Sequence, residues 1–351
     1  MDKKKIKKKL LTLLFVLLNA GIILYTALSE FGGNDTATKF RDVQVQWIFL
    51  LPALGCLIAA ILVESVKYNM VMKSTVGESN FKLSCDTVIL GRYYDNITPS
   101  GIGGQPFQIW YMNKNGINPA QSAAIPLSGF LSMQYSFIIV AVLVFTLGAR
   151  FLTTDVVRIA GYVGICLYAI FPTAILIATL CRGVFSKILN FLVNFLSLLH
   201  IVKEKDKTKS AIEENVYEYS DCIKSLIKKP LLVVKMMLLS ILYQIFLMSI
   251  PFFVVYAFGG SLNFFECFCT IVSIYCAITI VPTPGNSGAA EGSFYAVFSM
   301  LSSGFVFWAM LFWRILVFYS YIGMGLLIYL RDYIVEHKNK KPLKEAEPKE
   351  D

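Results

Sequence analysis

Apolar residues run along this chain in blocks too long and too continuous to be one face of soluble helices. A helix needs about 20 apolar residues to cross a bilayer core, and such blocks predict spans at 10–29, 46–64, 122–148, 157–181, 231–258 and 305–330. Two further apolar segments, 83–112 and 264–301, are broken in the middle by polar residues, proline and glycine. The breaks are Thr98-Pro99-Ser100-Gly101-Ile102-Gly103-Gly104-Gln105-Pro106 and Pro282-Thr283-Pro284-Gly285-Asn286-Ser287-Gly288-Ala289-Ala290-Glu291, each containing Gly-x-x-Gly. Proline removes a backbone donor and glycine admits conformations closed to other residues. Broken backbone at membrane depth survives only where protein or a water-filled cavity satisfies its polar groups. Neither arm of either segment is long enough to cross alone, so both are expected to form re-entrant hairpins. The predicted fold class is therefore an all-α polytopic membrane protein with about six full transmembrane helices and two opposed re-entrant hairpins.

The polar positions between blocks give an orientation. With Lys3–Lys9 in the cytoplasm, the loops at 65–82, 113–121 and 182–230 and the tail from Arg331 fall on the same side. They carry Lys67, Lys73, Lys82, Lys114 and the Lys203–Lys209 cluster. The opposite loops, 30–45, 149–156 and 259–263, hold only Lys39, Arg41 and Arg150 as basic residues. This is the positive-inside bias, and it requires each hairpin to return to the side it left. Two span–hairpin–span units, 46–148 and 231–330, then lie in opposite orientation, the inverted-repeat arrangement that builds a midplane site in transporters. The apolar run Leu10–Leu28 exceeds the ~7–15 residues of a signal-peptide core and is read as an uncleaved first helix.

The 184–229 region connects the units. Lys187, Asn190, Asn194, Ser197 and His200 form a polar stripe on an apolar helix, which suits a position in the membrane interface. Ile212, Val216, Tyr219, Ile223 and Leu226 form the converse, an apolar stripe on a charged helix. Residues 1–336 are read as one integral membrane domain and 337–351, rich in Lys, Glu and Pro, as a disordered cytoplasmic tail.

Composition agrees with the block pattern. The 351 residues are 56% hydrophobic and 16% charged, with a net charge of +9 and a mean hydropathy of +0.63. Because the basic residues sit at span ends, the charge points to anionic lipid and away from nucleic acid. Eight scattered cysteines and two histidines, His200 and His337, offer no metal-ligand spacing and no histidine-based catalytic set. No cofactor, metal or catalytic residue is expected.

Candidate chemistry gathers at the breaks. Arg92, Asp95, Asn96 and Thr98 precede the first turn, Gly101 and Gly104 form it, and Gln105 and Gln108 follow. Charged residues in membrane segments are costly unless paired or wet. Arg92 and Asp95, three apart, can pair along one helix face and hold the hairpin's shape, or can meet a ligand. In the second break, Thr283, Gly285, Asn286, Ser287 and Gly288 offer donors at a helix start that suits an anion such as phosphate, and Glu291 follows in the first turn. No Gly-Lys-Ser/Thr ending is present, which argues against nucleotide hydrolysis. Arg314 is expected to be the single charge deep inside a full span, facing Glu291, Asp95 or an anionic ligand.

Tyr94–Gln108 and Pro282–Glu291 resemble the two signature motifs of the lysylphosphatidylglycerol synthase transmembrane family, the flippase-like region of the bacterial multiple peptide resistance factor and its stand-alone relatives. The resemblance spans nearly the whole chain. It implies a membrane domain of the bacterial plasma membrane that moves an anionic or aminoacylated phospholipid, such as lysyl-phosphatidylglycerol, between leaflets, and it links the chain to cationic peptide and antibiotic resistance. The full-length resistance factor also carries a soluble aminoacyl-transferase domain, whereas this chain ends about 20 residues after its last predicted span, too few for a catalytic domain. A separate lipid-modifying synthase is then the implied partner, with homo-oligomers left open. Two rival functions stand beside the flippase: a membrane subunit of phosphatidylglycerol lysyltransferase, and a non-transporting scaffold for a cell-envelope enzyme.

Overall fold

Boundary residues fix where each helix starts and stops. The computed structural model describes residues 44–98, 101, 103–148, 155–181, 183, 187, 219–261, 263–278, 289–298 and 306–339, and all regular elements among them are helical. Helix α1 (Leu50–Val76) is entered through a 3-10 turn at Trp47–Phe49 and ends at Gly77, a left-handed cap. The Asn80 side chain caps α2 (Phe81–Ile97) by accepting from the Leu83 N–H at 2.9 Å. After the first break comes α3 (Gly104–Lys114), and Asn118 with Pro119 in the first turn opens α4 (Pro119–Leu147). Helix α5 (Asp155–Leu180), a helical stretch at 219–227 and α6 (Pro230–Ala257) follow. The second broken segment contributes α7 (Phe264–Ile278) and α8 (Ala289–Phe298). The last rod consists of α9 (Val306–Arg314), a π turn (Ile315–Tyr319) and α10 (Ser320–Asn339).

Among the described residues, five helices are long and apolar enough to cross a membrane: Trp47–Val76, Pro119–Leu147, Gly161–Leu180, Pro230–Ala257 and Val306–Glu336. They coincide with five of the expected spans; the expected span at 10–29 lies outside the described residues. The chain is thus an all-helical, multi-pass membrane protein. Helices α2 and α3 reach only roughly 25 and 16 Å at 1.5 Å per residue, short of the ~30 Å hydrocarbon core.

One expected boundary is corrected. The span expected to end at 64 continues as helix to Val76, so Lys67 is a buried member of a span and not a residue of a cytoplasmic loop at 65–82. The cause is local compensation: Glu64 and Lys67, one turn apart, meet at 2.8 Å and let the helix carry both charges onward. Lys67 Nζ also donates to the Gly129 carbonyl of α4 at 3.2 Å and to Ser240 Oγ of α6 at 2.9 Å. Ser240 in turn donates to Ser132 of α4 at 3.3 Å. Arg314 is consequently not the single charge within a span.

Around this knot, α1 and α6 pack along each other and α4 lies against both. Each unit closes on itself, α2 against α1 and α3 against α4 in the first, α7 against α6 and α8 against α9 in the second. The units also exchange contacts: α2 packs on α10, and α7 packs on α4. Tyr219, Ile223 and Leu226 of the linker's apolar stripe are buried, and Ser220 Oγ donates to the Thr179 carbonyl of α5 at 2.9 Å. Ile212, Val216 and most of 184–202 lie outside the described residues.

The three-way role of Lys67 has a measurable consequence. Removing one partner of a buried ion pair typically costs about 3–5 kcal/mol, while replacing both with apolar residues is often neutral. Lys67→Met is expected to lower unfolding stability in detergent by about that amount, and Glu64→Leu/Lys67→Met to recover most of it. Denaturant titration of the purified variants measures both.

Candidate functional site

The first break is held open by its own side chains. Thr98 closes α2, its Oγ1 donating to the Tyr94 carbonyl at 2.7 Å and accepting from the Gly103 N–H at 2.9 Å. Gly101, with φ +63°, folds back so that its N–H reaches the Thr98 carbonyl at 3.2 Å. Asp95 Oδ1 accepts from the Gly104 N–H at 2.9 Å, which tethers the start of α3. The two arms cross at glycines: a Cβ on Gly104 would lie 2.7 Å from the Gly91 carbonyl oxygen. Below the crossing, Gln108 donates to the Thr87 carbonyl at 3.2 Å and accepts from the Tyr68 hydroxyl at 3.1 Å. Thr98 and Asp95 therefore satisfy backbone groups that the Pro/Gly break frees.

Arg92 and Asp95, one turn apart, form no direct ion pair, although each lies within electrostatic reach of the other. The Arg92 guanidinium donates instead across the unit boundary to the Tyr243 hydroxyl of α6 at 2.6 Å, and contacts Met133 Sδ at 3.4 Å. The Asp95 carboxylate meanwhile accepts from the Gly104 N–H of α3. Asn96 Nδ2 reaches the Phe318 carbonyl in the π turn at 3.2 Å. Gln105 is half-buried and makes no side-chain hydrogen bond among the described residues.

On the second unit, Glu291 at the start of α8 forms an ion pair with Arg314 at the end of α9, both buried. This is one of the partners expected for Arg314. Its guanidinium also lies 4.3 Å from the centre of the Phe318 ring. Phe318 thus serves both units, with its ring under Arg314 and its carbonyl bound by Asn96. A π turn widens the helical ladder, frees carbonyls and is frequent at functional sites. Thr283, Gly285, Asn286, Ser287 and Gly288 lie outside the described residues.

The first broken segment is fastened to α10 at two further levels. Tyr94 and Tyr329 share a hydroxyl hydrogen bond, and Phe107 stacks on Tyr94 with ring centres 3.8 Å apart. At the end of the bundle, Arg331 grips Asp86 through both nitrogens at 3.1 and 2.8 Å, and Tyr111 donates to Asp332 at 3.0 Å.

Several of these residues escaped sequence reasoning. Glu64 and Lys67 had a signal, an i, i+3 acid–base pair inside an apolar run, but treating the first charge as a span end hid it. Tyr243 and Phe318 had none, since nothing local separates them from other aromatic residues in apolar helices. The assembled site offers two guanidinium groups, that of Arg314 buried and that of Arg92 half-buried, with the carboxylates Glu64, Asp95 and Glu291 nearby. Guanidinium forks suit phosphate and carboxylate oxygens.

A multi-pass helical bundle with broken segments and a buried ionic seam is a membrane domain built around polar groups at depth. The family model described as the lysylphosphatidylglycerol synthase TM region matches residues 10–325, and the chain belongs to that family. It is accordingly a membrane protein related to lipid handling. No curated protein and no solved structure matches the chain.

The glycine crossing gives a paired prediction. Gly104→Ala forces a Cβ against backbone and should destabilise by about 1–3 kcal/mol. Gly292→Ala, on α8 with open space around the site of its Cβ, should be neutral or stabilising by up to about 1 kcal/mol. Thermal unfolding of the two variants in one detergent compares them.

Proposed function

We propose that this protein is a flippase-like transporter that moves phospholipid between the leaflets of the bacterial plasma membrane. The observation that carries this reading is that polar side chains of both broken segments run to the spans of the second unit, two of them to neighbouring residues of its last rod. Arg92 on the first reaches Tyr243 of the second unit, and Glu291 on the second pairs with Arg314, whose neighbour Phe318 is bound by Asn96 of the first. A soluble head group has no stable place in a bilayer core, so a lipid that crosses needs such a seam.

In this reading the two broken segments are re-entrant hairpins of opposed orientation. Support comes from the exchange of contacts: the first arm of each unit packs on the last span of the other, while the leading spans α1 and α6 pack together. A pseudo-two-fold relation between inverted repeats produces that pattern. The guanidinium groups of Arg92 and Arg314, with N–H donors and side chains of the second break (Thr283, Gly285, Asn286, Ser287, Gly288), hold the phosphate. Asp95 or Glu291 receives a cationic head group such as that of lysyl-phosphatidylglycerol, and Gln105 supplies a further polar contact near the turn. Gly101 and Gly104 let the backbone approach. A separate synthase supplies aminoacylated lipid, and both termini lie in the cytoplasm.

Purified protein in liposomes carrying labelled phosphatidylglycerol tests transport. Leaflet exchange is expected, with at least about a tenfold loss for Arg314→Ala, equivalent to roughly 1.4 kcal/mol at the barrier. Absence of exchange, or exchange unchanged by Arg314→Ala, refutes the mechanism. Orientation is tested separately: Lys203→Cys should resist a membrane-impermeant thiol reagent applied to intact cells, and labelling from outside overturns the topology.

A further inference from the structure

The buried apolar residues of α2 divide at Gly91. Leu83, Val88, Ile89 and Leu90 before it join the main core of the bundle. Tyr93, Tyr94 and Ile97 after it form a second, smaller cluster with Phe318 of the π turn and Ile322 of α10. The polar contacts divide at the same place. Asp86, on the main-core side, is gripped by Arg331 through two nitrogens at 3.1 and 2.8 Å. Beyond Gly91 the helix end reaches the second unit through one-point hydrogen bonds, from Arg92 to the Tyr243 hydroxyl, from Asn96 to the Phe318 carbonyl, and between Tyr94 and Tyr329. Asp95 and Thr98 bind the N–H groups of Gly104 and Gly103, so this end of α2 and the start of α3 are stapled into one piece.

Arg314 needs such a piece to move. It is 3% exposed, and the ring of Phe318 lies over its guanidinium at 4.3 Å. A head-group phosphate cannot reach it in this conformation. Phe318 is also the residue on which the end of α2 packs and to whose carbonyl Asn96 is bonded. Parting the small cluster frees that ring to leave the guanidinium, while Leu83–Leu90 and the Asp86 clasp stay seated. A helix end held by a small cluster and one-point bonds opens at lower cost than one rooted in the main core. Gly91, the only glycine of α2, marks the place where the helix is least stiff.

We propose that the end of α2, Arg92–Thr98 with the start of α3 stapled to it, is the gate of the lipid path: it swings about Gly91 off the π turn and α10, and so opens the way to Arg314. The clasp of Arg331 on Asp86 is the fixed base of this motion. The proposal rests on the lipid-transport reading above and assigns its moving part.

A reversible lock tests it. A Cβ on Gly325 of α10 would lie 2.9 Å from the Tyr93 Cβ, close to the ~3.5–4.5 Å of a disulfide, so cysteines at both positions can bridge with a small local shift. Tyr93→Cys/Gly325→Cys, oxidised in liposomes with labelled phosphatidylglycerol and its bridge confirmed by mass spectrometry, should exchange lipid at least about tenfold more slowly than the natural chain oxidised in parallel. Reduction should restore the rate. A bridged variant as fast as that reference overturns the gate and leaves the transport reading standing. Absence of leaflet exchange in the natural chain removes the transport reading and the gate together. Residue-resolved hydrogen exchange of the natural chain in detergent needs no variant and no bridge. The N–H groups of 92–95 bond to the carbonyls of 88–91 across the hinge, so saturating dihexanoyl-phosphatidylglycerol should speed their exchange at least about tenfold. Exchange at 92–95 unchanged by the lipid, or speeded equally at 83–90, also overturns the proposal.

Discussion

Lys67 places an ammonium group where three helices cross, and the bundle is arranged around the need to satisfy it. An isolated charge in a low-dielectric interior is untenable, so its three donors go to Glu64 on its own helix, a carbonyl on α4 and a hydroxyl on α6. These bonds fix the rotation of α1 against both neighbours. The same constraint recurs outward: Arg92 ties α2 to α6, and Arg314 ties α9 to α8. Apolar packing supplies contact area throughout, but lipid tails are as apolar as leucine, so polar bonds carry much of the specificity of helix placement.

The break between α2 and α3 solves the companion problem of exposed backbone. Proline and glycine free peptide groups at the break, and the side chains beside them take those groups up. Thr98 and Asp95 each hold an N–H of the turn, and glycine at 91 and 104 allows the arms to cross closely enough for these bonds to form. What remains available for a ligand is set by this prior use. Arg92 is turned toward Tyr243, and the half-buried Gln105 makes no side-chain hydrogen bond among the described residues.

The last rod joins the two units through a local irregularity. Within the π turn at 315–319, the Phe318 carbonyl accepts from Asn96 while the ring of the same residue supports Arg314. One residue therefore touches the ionic pair of one unit and the turn of the other.

Hydropathy and the Pro/Gly breaks are local properties, so the positions of five long apolar helices, the first interruption and the polar contacts of Arg92, Asp95, Asn96, Arg314 and Glu291 were legible in the chain itself. The pairing of Arg314 with Glu291 was among the expected possibilities because both stood out against apolar surroundings. The partner of Arg92 was not legible, since the local choice, Asp95, loses to a tyrosine 151 positions away that only packing brings near. The length of α1 was misjudged for the same reason: a charged residue reads as a span end unless its counter-charge and its acceptors on two other helices are known. By itself the sequence determined which described helices are long and apolar enough to cross a membrane and which charged residues among them need partners. Tertiary structure decided with whom, because Coulomb and hydrogen-bond energies depend on distances that the order of residues does not specify.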